Sequence, residues 1–81
     1  MTEKKVTISI PEGLTAKTAT PIIEKANEFA CSIIVESNDR RINCKSLLGM
    51  LSLGLKCGDT IVLHAEGEKE EAALDAVAAT M

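Results

Sequence analysis

The chain has 81 residues, 46% of them hydrophobic and 26% charged, with nine basic side chains against twelve acidic ones and a formal net charge of −3. Such a chain is expected to fold as a single domain over residues 1–81, burying only about 60 to 65% of its unfolded surface, and its composition is globular rather than disordered. The acidic balance and a lone aromatic, Phe29, exclude a general nucleic-acid binder, which needs a basic excess and stacking rings.

Lys5-Val6-Thr7-Ile8-Ser9-Ile10 alternates polar and apolar residues and places Val6, Ile8 and Ile10 on one face, the pattern of a half-buried strand. Pro11-Glu12-Gly13 breaks it. Ala19, Ile22, Ile23, Ala26, Phe29 and Ala30 then recur at intervals of three and four and predict the first core helix. Two signals compete for its start. Thr15 suits an N-cap whose hydroxyl satisfies an orphan amide. Thr20-Pro21 also reads as an N-cap followed by the first helical residue. A proline inside a helix capped by Thr15 would deprive the Lys17 carbonyl of its donor, at about 3 kcal/mol or more. The expectation is a regular helix beginning near Thr20, with residues 15–19 in a turn or separate short segment.

Ser32 to Glu36 is a β-branched strand, Ser37-Asn38-Asp39 a turn and Arg40 to Cys44 the returning strand of a hairpin. Ser46 is placed as the N-cap of a short helix through Leu51 that Gly54 can close. Leu47, Leu48, Met50 and Leu51 spread over more of that helix than one core-facing stripe needs, so part of the cluster is exposed, as at partner sites. Thr60 to Ala65 predicts a strand with Ile61, Leu63 and Ala65 on one face. Glu68, Glu70 and Glu71 open a last helix that buries Ala73, Leu74, Val77 and Met81. This order of elements predicts an α+β fold, three helices on one face of a four-stranded antiparallel sheet.

Cys31, Cys44 and Cys57 are odd in number and form no Cys-x-x-Cys pair, which suits reduced thiols. No metal or cofactor is expected. His64, the one histidine, lies in a predicted strand apart from any acid or nucleophile in sequence, so no catalytic constellation is visible and the chain reads as a non-enzyme. No apolar run approaches the roughly 20 residues that cross a bilayer, and the N-terminus has no signal-type apolar core, so a cytoplasmic protein without membrane attachment is expected.

Two segments, Gly13-Leu14-Thr15-Ala16-Lys17-Thr18-Ala19 and Asn43-Cys44-Lys45-Ser46-Leu47-Leu48-Gly49-Met50-Leu51-Ser52-Leu53-Gly54, resemble the two signature segments of HPr, the phosphocarrier of the bacterial sugar phosphotransferase system. The resemblance spans nearly the whole chain and implies an open-faced β-sandwich. In the family pattern a histidine follows Gly-Leu and precedes Ala-Arg-Pro-Ala; it receives the phosphoryl group from enzyme I and passes it to enzyme II proteins. Here that position is Thr15, with Lys17 in place of the arginine and Thr18 in place of the proline. A phosphohistidine is a phosphoramidate that can give its group away, whereas phosphothreonine is a stable ester unsuited to a relay. The family geometry also implies a first helix starting near Ala16, kinked between Lys17 and Pro21.

The second segment implies phosphorylation of Ser46 by HPr serine kinase/phosphorylase, with Lys45 as the adjacent cation. Leu47, Leu48 and Leu51 would form the apolar docking surface for that kinase, a catabolite control transcription regulator or enzyme I. Thr15, Lys17, Thr20 and Lys45 complete the implied partner-binding set. The expected function is therefore a regulatory binding module resembling the catabolite-repression HPr paralogues that lack the active histidine. An interaction or decoy protein that docks through the short apolar helix without phosphorylation stays open as the alternative.

Overall fold

The computed structural model describes residues 1–81. Its elements run β1 (Thr2–Thr7), α1 (Ala16–Asn27), β2 (Ser32–Ser37), β3 (Arg40–Asn43), α2 (Leu47–Ser52), β4 (Thr60–Glu66) and α3 (Glu70–Ala78). The strands form one antiparallel sheet in the order β1-β4-β2-β3. Alternation decides what the helices cover: Val6, Ile33, Val35, Ile61, Leu63 and Ala65 join Ala19, Ile22, Ala26, Met50, Leu74 and Val77 in one core cluster of 19 buried residues. The result is the α+β arrangement that the order of elements predicts and the open-faced β-sandwich that the HPr resemblance implies. The core is aliphatic, and Phe29 only packs against its margin. No helix is long and apolar enough to cross a membrane.

The β2–β3 hairpin closes through Asn38 and Asp39, at φ 50° and 66°. Positive φ at both central positions is the type I′ geometry that matches the twist of the flanking strands, and Asn and Asp tolerate it better than most residues.

β1 begins and ends three residues before the stretch that alternation marked. Pairing runs from Thr2↔Ala65 to Thr7↔Thr60, after which Ile8 stays tied to the same neighbour: its amide donates to the Asp59 carbonyl and its carbonyl accepts from Gly58, both at 2.8 Å. Early in the strand the helix-side positions are polar, and α3 supplies their partners. Thr2 Oγ1 donates to Glu70 Oε1 at 2.8 Å and Lys4 Nζ to Asp75 Oδ1 at 3.3 Å. A strand held by such contacts has no apolar period to find.

The later start expected for the first helix is overturned. α1 runs without interruption from Ala16 to Asn27 with Pro21 inside it and Thr15 as its cap. Local chemistry at Thr15 outweighs that at Thr20: Thr15 Oγ1 accepts from the Thr18 amide at 3.2 Å, while Thr18 Oγ1 accepts from the Thr15 amide at 2.8 Å and donates to the Gly13 carbonyl at 2.7 Å. The early start also lets Ala19 join the core. Thr20 is not a cap; its hydroxyl donates back to the Ala16 carbonyl at 2.7 Å. The helix ends at Asn27, so Phe29 and Ala30 belong to the connection into β2.

Keeping Pro21 leaves the Lys17 carbonyl without its helical donor. Pro21→Ala should stabilise the fold by about 1 to 2 kcal/mol in urea unfolding, the recovered helix bond outweighing the greater freedom of the unfolded chain. An unchanged or lowered midpoint would show that α1 absorbs the proline without loss.

The start of α3 carries a second, titratable anchor. Its N-cap position, Lys69, is left-handed at φ 58° and provides no side-chain cap. Glu70 gathers the nearby donors instead: the Met1 ammonium at 2.9 Å, Thr2 Oγ1 at 2.8 Å and the Gly67 amide at 3.0 Å. These bonds, the one from the N-terminal ammonium foremost, hold its carboxyl at about 2, below an ordinary 4.5. A depressed folded pKa favours the ionised form in the native state, so this contribution is complete above about pH 4.5 and is lost as pH falls toward 2. Glu70→Gln should lower the melting temperature at pH 7, with the gap to wild type closing across that acid window; a gap constant with pH would remove the anchor.

Candidate functional site

Two hydroxyls define the candidate region, each fixed by backbone before its chemistry is considered. The first is Thr15. Gly13, at φ 73°, closes a turn by donating to the Ile10 carbonyl at 2.9 Å, and the next amide, Leu14, donates to the Leu55 carbonyl at 2.9 Å. Leu14 is buried, so Thr15 emerges as the first exposed residue, at the mouth of α1. Its hydroxyl is committed to the capping network with Thr18. Lys17 and Thr20 are exposed on the first turns of α1.

The second hydroxyl is Ser46. β3 ends in a tight connection in which the Lys45 amide donates to Asn43 Oδ1 at 2.9 Å and the Ser46 amide to the Asn43 carbonyl at 3.0 Å. Ser46 then caps α2, with Oγ accepting from the Gly49 amide at 3.1 Å. Of the apolar residues that follow, Met50 is buried, Leu51 half-buried, Leu47 41% exposed and Leu48 83% exposed. The helix therefore spends one residue on the core and turns two leucines outward. Gly49 lies in its interior, where glycine is roughly 1 kcal/mol less favourable than alanine.

Lys45 departs from its expected role. Its ammonium reaches away from Ser46 and donates to the Phe29 carbonyl at 2.8 Å and the Cys31 carbonyl at 3.1 Å, the connection that follows α1. Those carbonyls have no regular partners in the chain between α1 and β2, so they capture the long side chain. Sequence reading also missed Arg40, which lies at the far end of α2: Nη1 donates to the Ser52 carbonyl at 2.7 Å and Nη2 to Ser52 Oγ at 3.0 Å. A guanidinium fork on a terminal helix carbonyl complements the negative end of the helix dipole. The signal was present in the heavily charged turn of the hairpin, but only tertiary structure supplies the acceptor.

His64 is not apart from acids, as sequence order suggested. The period of β4 turns it to the open face, opposite to Leu63 and Ala65. There its Nε2 lies 2.6 Å from Glu36 Oε1, and Nδ1 lies 3.3 Å from Glu3 Oε1. Arg41 Nη2 stands 3.4 Å from the same Nε2. The ring joins β4 to β2 through Glu36 and stands beside Glu3 of β1, on the face that the helices leave bare. Among the thiols, Cys31 and Cys44 are buried and Cys57 is exposed. Burial pushes the Cys44 thiol up to about 12, against a smaller opposing pull from Lys45. No group of three His, Cys, Asp or Glu residues is arranged to hold a metal ion.

An open-faced sandwich in which the turn at Gly13 presents an exposed hydroxyl at the mouth of α1, and a second hydroxyl caps a short apolar helix, has the architecture of a phosphocarrier domain. The family model described as the PTS HPr component phosphorylation site matches residues 2–81. The HPr-like protein Crh of Halalkalibacterium halodurans is 37% identical over 79 residues, which is 98% of this chain and 94% of that protein. The HPr-like protein Crh of Bacillus subtilis is 34% identical over 79 residues, 98% of this chain and 93% of its own. The crystal structure of phosphocarrier protein HPr from Bacillus anthracis superposes with a TM-score of 0.94 at 35% identity, covering 99% of this chain and 95% of the other. The chain belongs to the HPr family, and these relatives are named as phosphocarrier or HPr-like proteins.

The burial pattern makes the thiols separable by chemistry. A disulfide-forming thiol reagent should label Cys57 alone in the folded protein at neutral pH and all three cysteines in denaturant, since burial shields Cys31 and Cys44 from the reagent. Rapid labelling of a second thiol in the native state would overturn the packing of Cys31 or Cys44.

Proposed function

We propose that this HPr-family chain is a regulatory binding module that does not carry phosphate between sugar-transport enzymes and is switched by phosphorylation at Ser46. The observation that carries the reading is the contrast between its two capping hydroxyls. At the position where the family pattern has its relay histidine stands Thr15, whose hydroxyl is bound into a closed network with Thr18 and has no imidazole beside it. Ser46 keeps its hydroxyl at the head of α2, followed at once by the exposed Leu47 and Leu48. The partners that fit are HPr serine kinase/phosphorylase as the modifying enzyme and a catabolite control transcription regulator as the reader of the mark.

Leu47, Leu48 and the rim of Leu51 form the docking surface in this reading, with Thr15, Lys17 and Thr20 at its α1 side. Lys45 contributes by fixing the approach to Ser46 rather than by neutralising a phosphate, because its ammonium is already engaged. A phosphoserine here adds roughly −1.5 to −2 charge beside an apolar patch, a local change that a partner can read without any large rearrangement. A second reading rests on the same leucines: a docking protein that occupies enzyme I or a regulator and is never phosphorylated.

Incubation with HPr serine kinase and ATP tests the switch. Phosphate should be located at Ser46 by mass spectrometry, and Ser46→Ala should take up none while losing only about 0.5 to 2 kcal/mol from the missing cap. In parallel, phosphoenolpyruvate and enzyme I should leave no acid-labile label on the wild-type chain. Phosphate on another residue, or none from the kinase, would leave the docking reading in place of the switch.

A further inference from the structure

Four of the five glycines sit at positive φ, Gly13, Gly54, Gly58 and Gly67, where the backbone itself calls for glycine. Gly49 does not. It is helical, in the middle of a six-residue helix, where an alanine would serve the backbone better. The reason lies in the space beside it. A side-chain carbon on Gly49 would lie 3.3 Å from Ser46 Oγ, 3.4 Å from Ser46 Cβ and 3.3 Å from Ile42 Cβ. Two of those three atoms belong to the residue assigned above as the phosphate acceptor.

We propose that Gly49 determines access to Ser46: its missing side chain leaves open the side of the hydroxyl that an incoming phosphoryl group has to occupy. The inference rests on the reading of Ser46 as the acceptor and adds a residue that controls it. In the transfer, a bond forms between Ser46 Oγ and the γ-phosphorus of ATP and the bond from that phosphorus to the β–γ bridging oxygen breaks. ADP leaves, and the serine proton passes to a base of the kinase. The phosphoryl oxygens must then fit around Oγ on the sides that its own helix leaves free. Non-bonded carbon atoms settle at about 3.5 to 4.0 Å, so a methyl carbon already 3.4 Å from Ser46 Cβ and 3.3 Å from Ile42 Cβ is wedged in place, and at 3.3 Å from Oγ it would occupy that part of the arc. The contact with Ile42 opposes the backbone shift that would carry the methyl away toward β3. In this site a change of one methyl group separates an open hydroxyl from a crowded one while Ser46 and its capping bond stay chemically the same.

The test compares wild type with Gly49→Ala under HPr serine kinase and ATP. Gly49→Ala should fold, retain the bond from the residue 49 amide to Ser46 Oγ, and show kcat for phosphorylation reduced at least tenfold with KM little changed. As an unlabelled competitor it should inhibit labelling of wild type as well as unphosphorylated wild type does. Equal labelling rates in the two folded proteins would overturn the inference while leaving Ser46 as the acceptor. Loss of competition together with a raised KM would overturn it too, by assigning Gly49 to docking. If wild type takes up no phosphate, the reading of Ser46 fails and the inference falls with it. Should Gly49→Ala not fold, the wild-type protein decides: on phosphorylation, the α-protons of Gly49 should shift more in the NMR spectrum than those of Leu47 and Leu48, and a smaller shift at Gly49 would reject the inference.

Discussion

Gly13 lies with its α-carbon against the segment that follows α2, so close that a side-chain carbon there would stand 2.7 Å from the Leu55 carbonyl oxygen and 3.0 Å from Lys56 Cα. Both are backbone atoms and cannot move aside. With φ at 73° as well, the position excludes other residues by space and by conformation together. What it permits is the bond from the Leu14 amide to Leu55, which joins the approach to α1 to the exit from α2. Thr15 is one residue beyond that bond and the α2 leucines lie a short stretch before its acceptor. The relation between the two hydroxyls is thus set by main chain, where side-chain substitution at the surface does not disturb it.

Around that fixed relation the two hydroxyls differ in what surrounds them. Thr15 heads a helix of 12 residues that packs broadly on the core, and its hydroxyl is one part of a reciprocal network. Ser46 heads a helix of only six, too short to be stable by itself in water. α2 is instead held at both ends by long cationic side chains from outside it. Lys45 ties the entry to the carbonyls after α1, and Arg40 holds the exit through Ser52. A short helix pinned in this manner can turn apolar residues to solvent without needing them for its own order.

Much of this fold is legible in the sequence because period and punctuation agree. The hairpin around Asn38 and Asp39, the cap at Ser46 and the strand through Ile61, Leu63 and Ala65 each combine a hydrophobic period with a turn or cap residue at its boundary. The failures have a common cause. Thr20-Pro21 carried a strong local signal, but the competing one at Thr15 drew on Thr18, Gly13 and the burial of Ala19, which together outweigh a single missing helix bond. β1 was misplaced because Thr2 and Lys4 are satisfied by α3, almost the length of the chain away. The same kind of separation hid the roles of Lys45, Arg40 and His64, whose hydrogen-bond partners are 12 to 28 positions distant in sequence. Residue type and spacing report what a side chain can do, and folding decides which group it does it to.

The sheet has two free edges, β1 and β3, and each carries two consecutive cations: Lys4-Lys5 on one and Arg40-Arg41 on the other. Because neighbouring residues of a strand face opposite ways, each pair sets one positive charge on the helix side of its edge and one on the bare side. The inner members are anchored to the helices, through Asp75 for Lys4 and Ser52 for Arg40. A strand from a second copy that approached either border would bring its own pair against the resident one, like charge on like charge on both faces of the growing sheet. Unpaired amides and carbonyls at a border invite such growth, and basic residues are a recurrent natural deterrent to it. In a small aliphatic domain whose core leaves one broad face uncovered, those four side chains set an electrostatic fence along both borders that opposes the addition of a fifth strand.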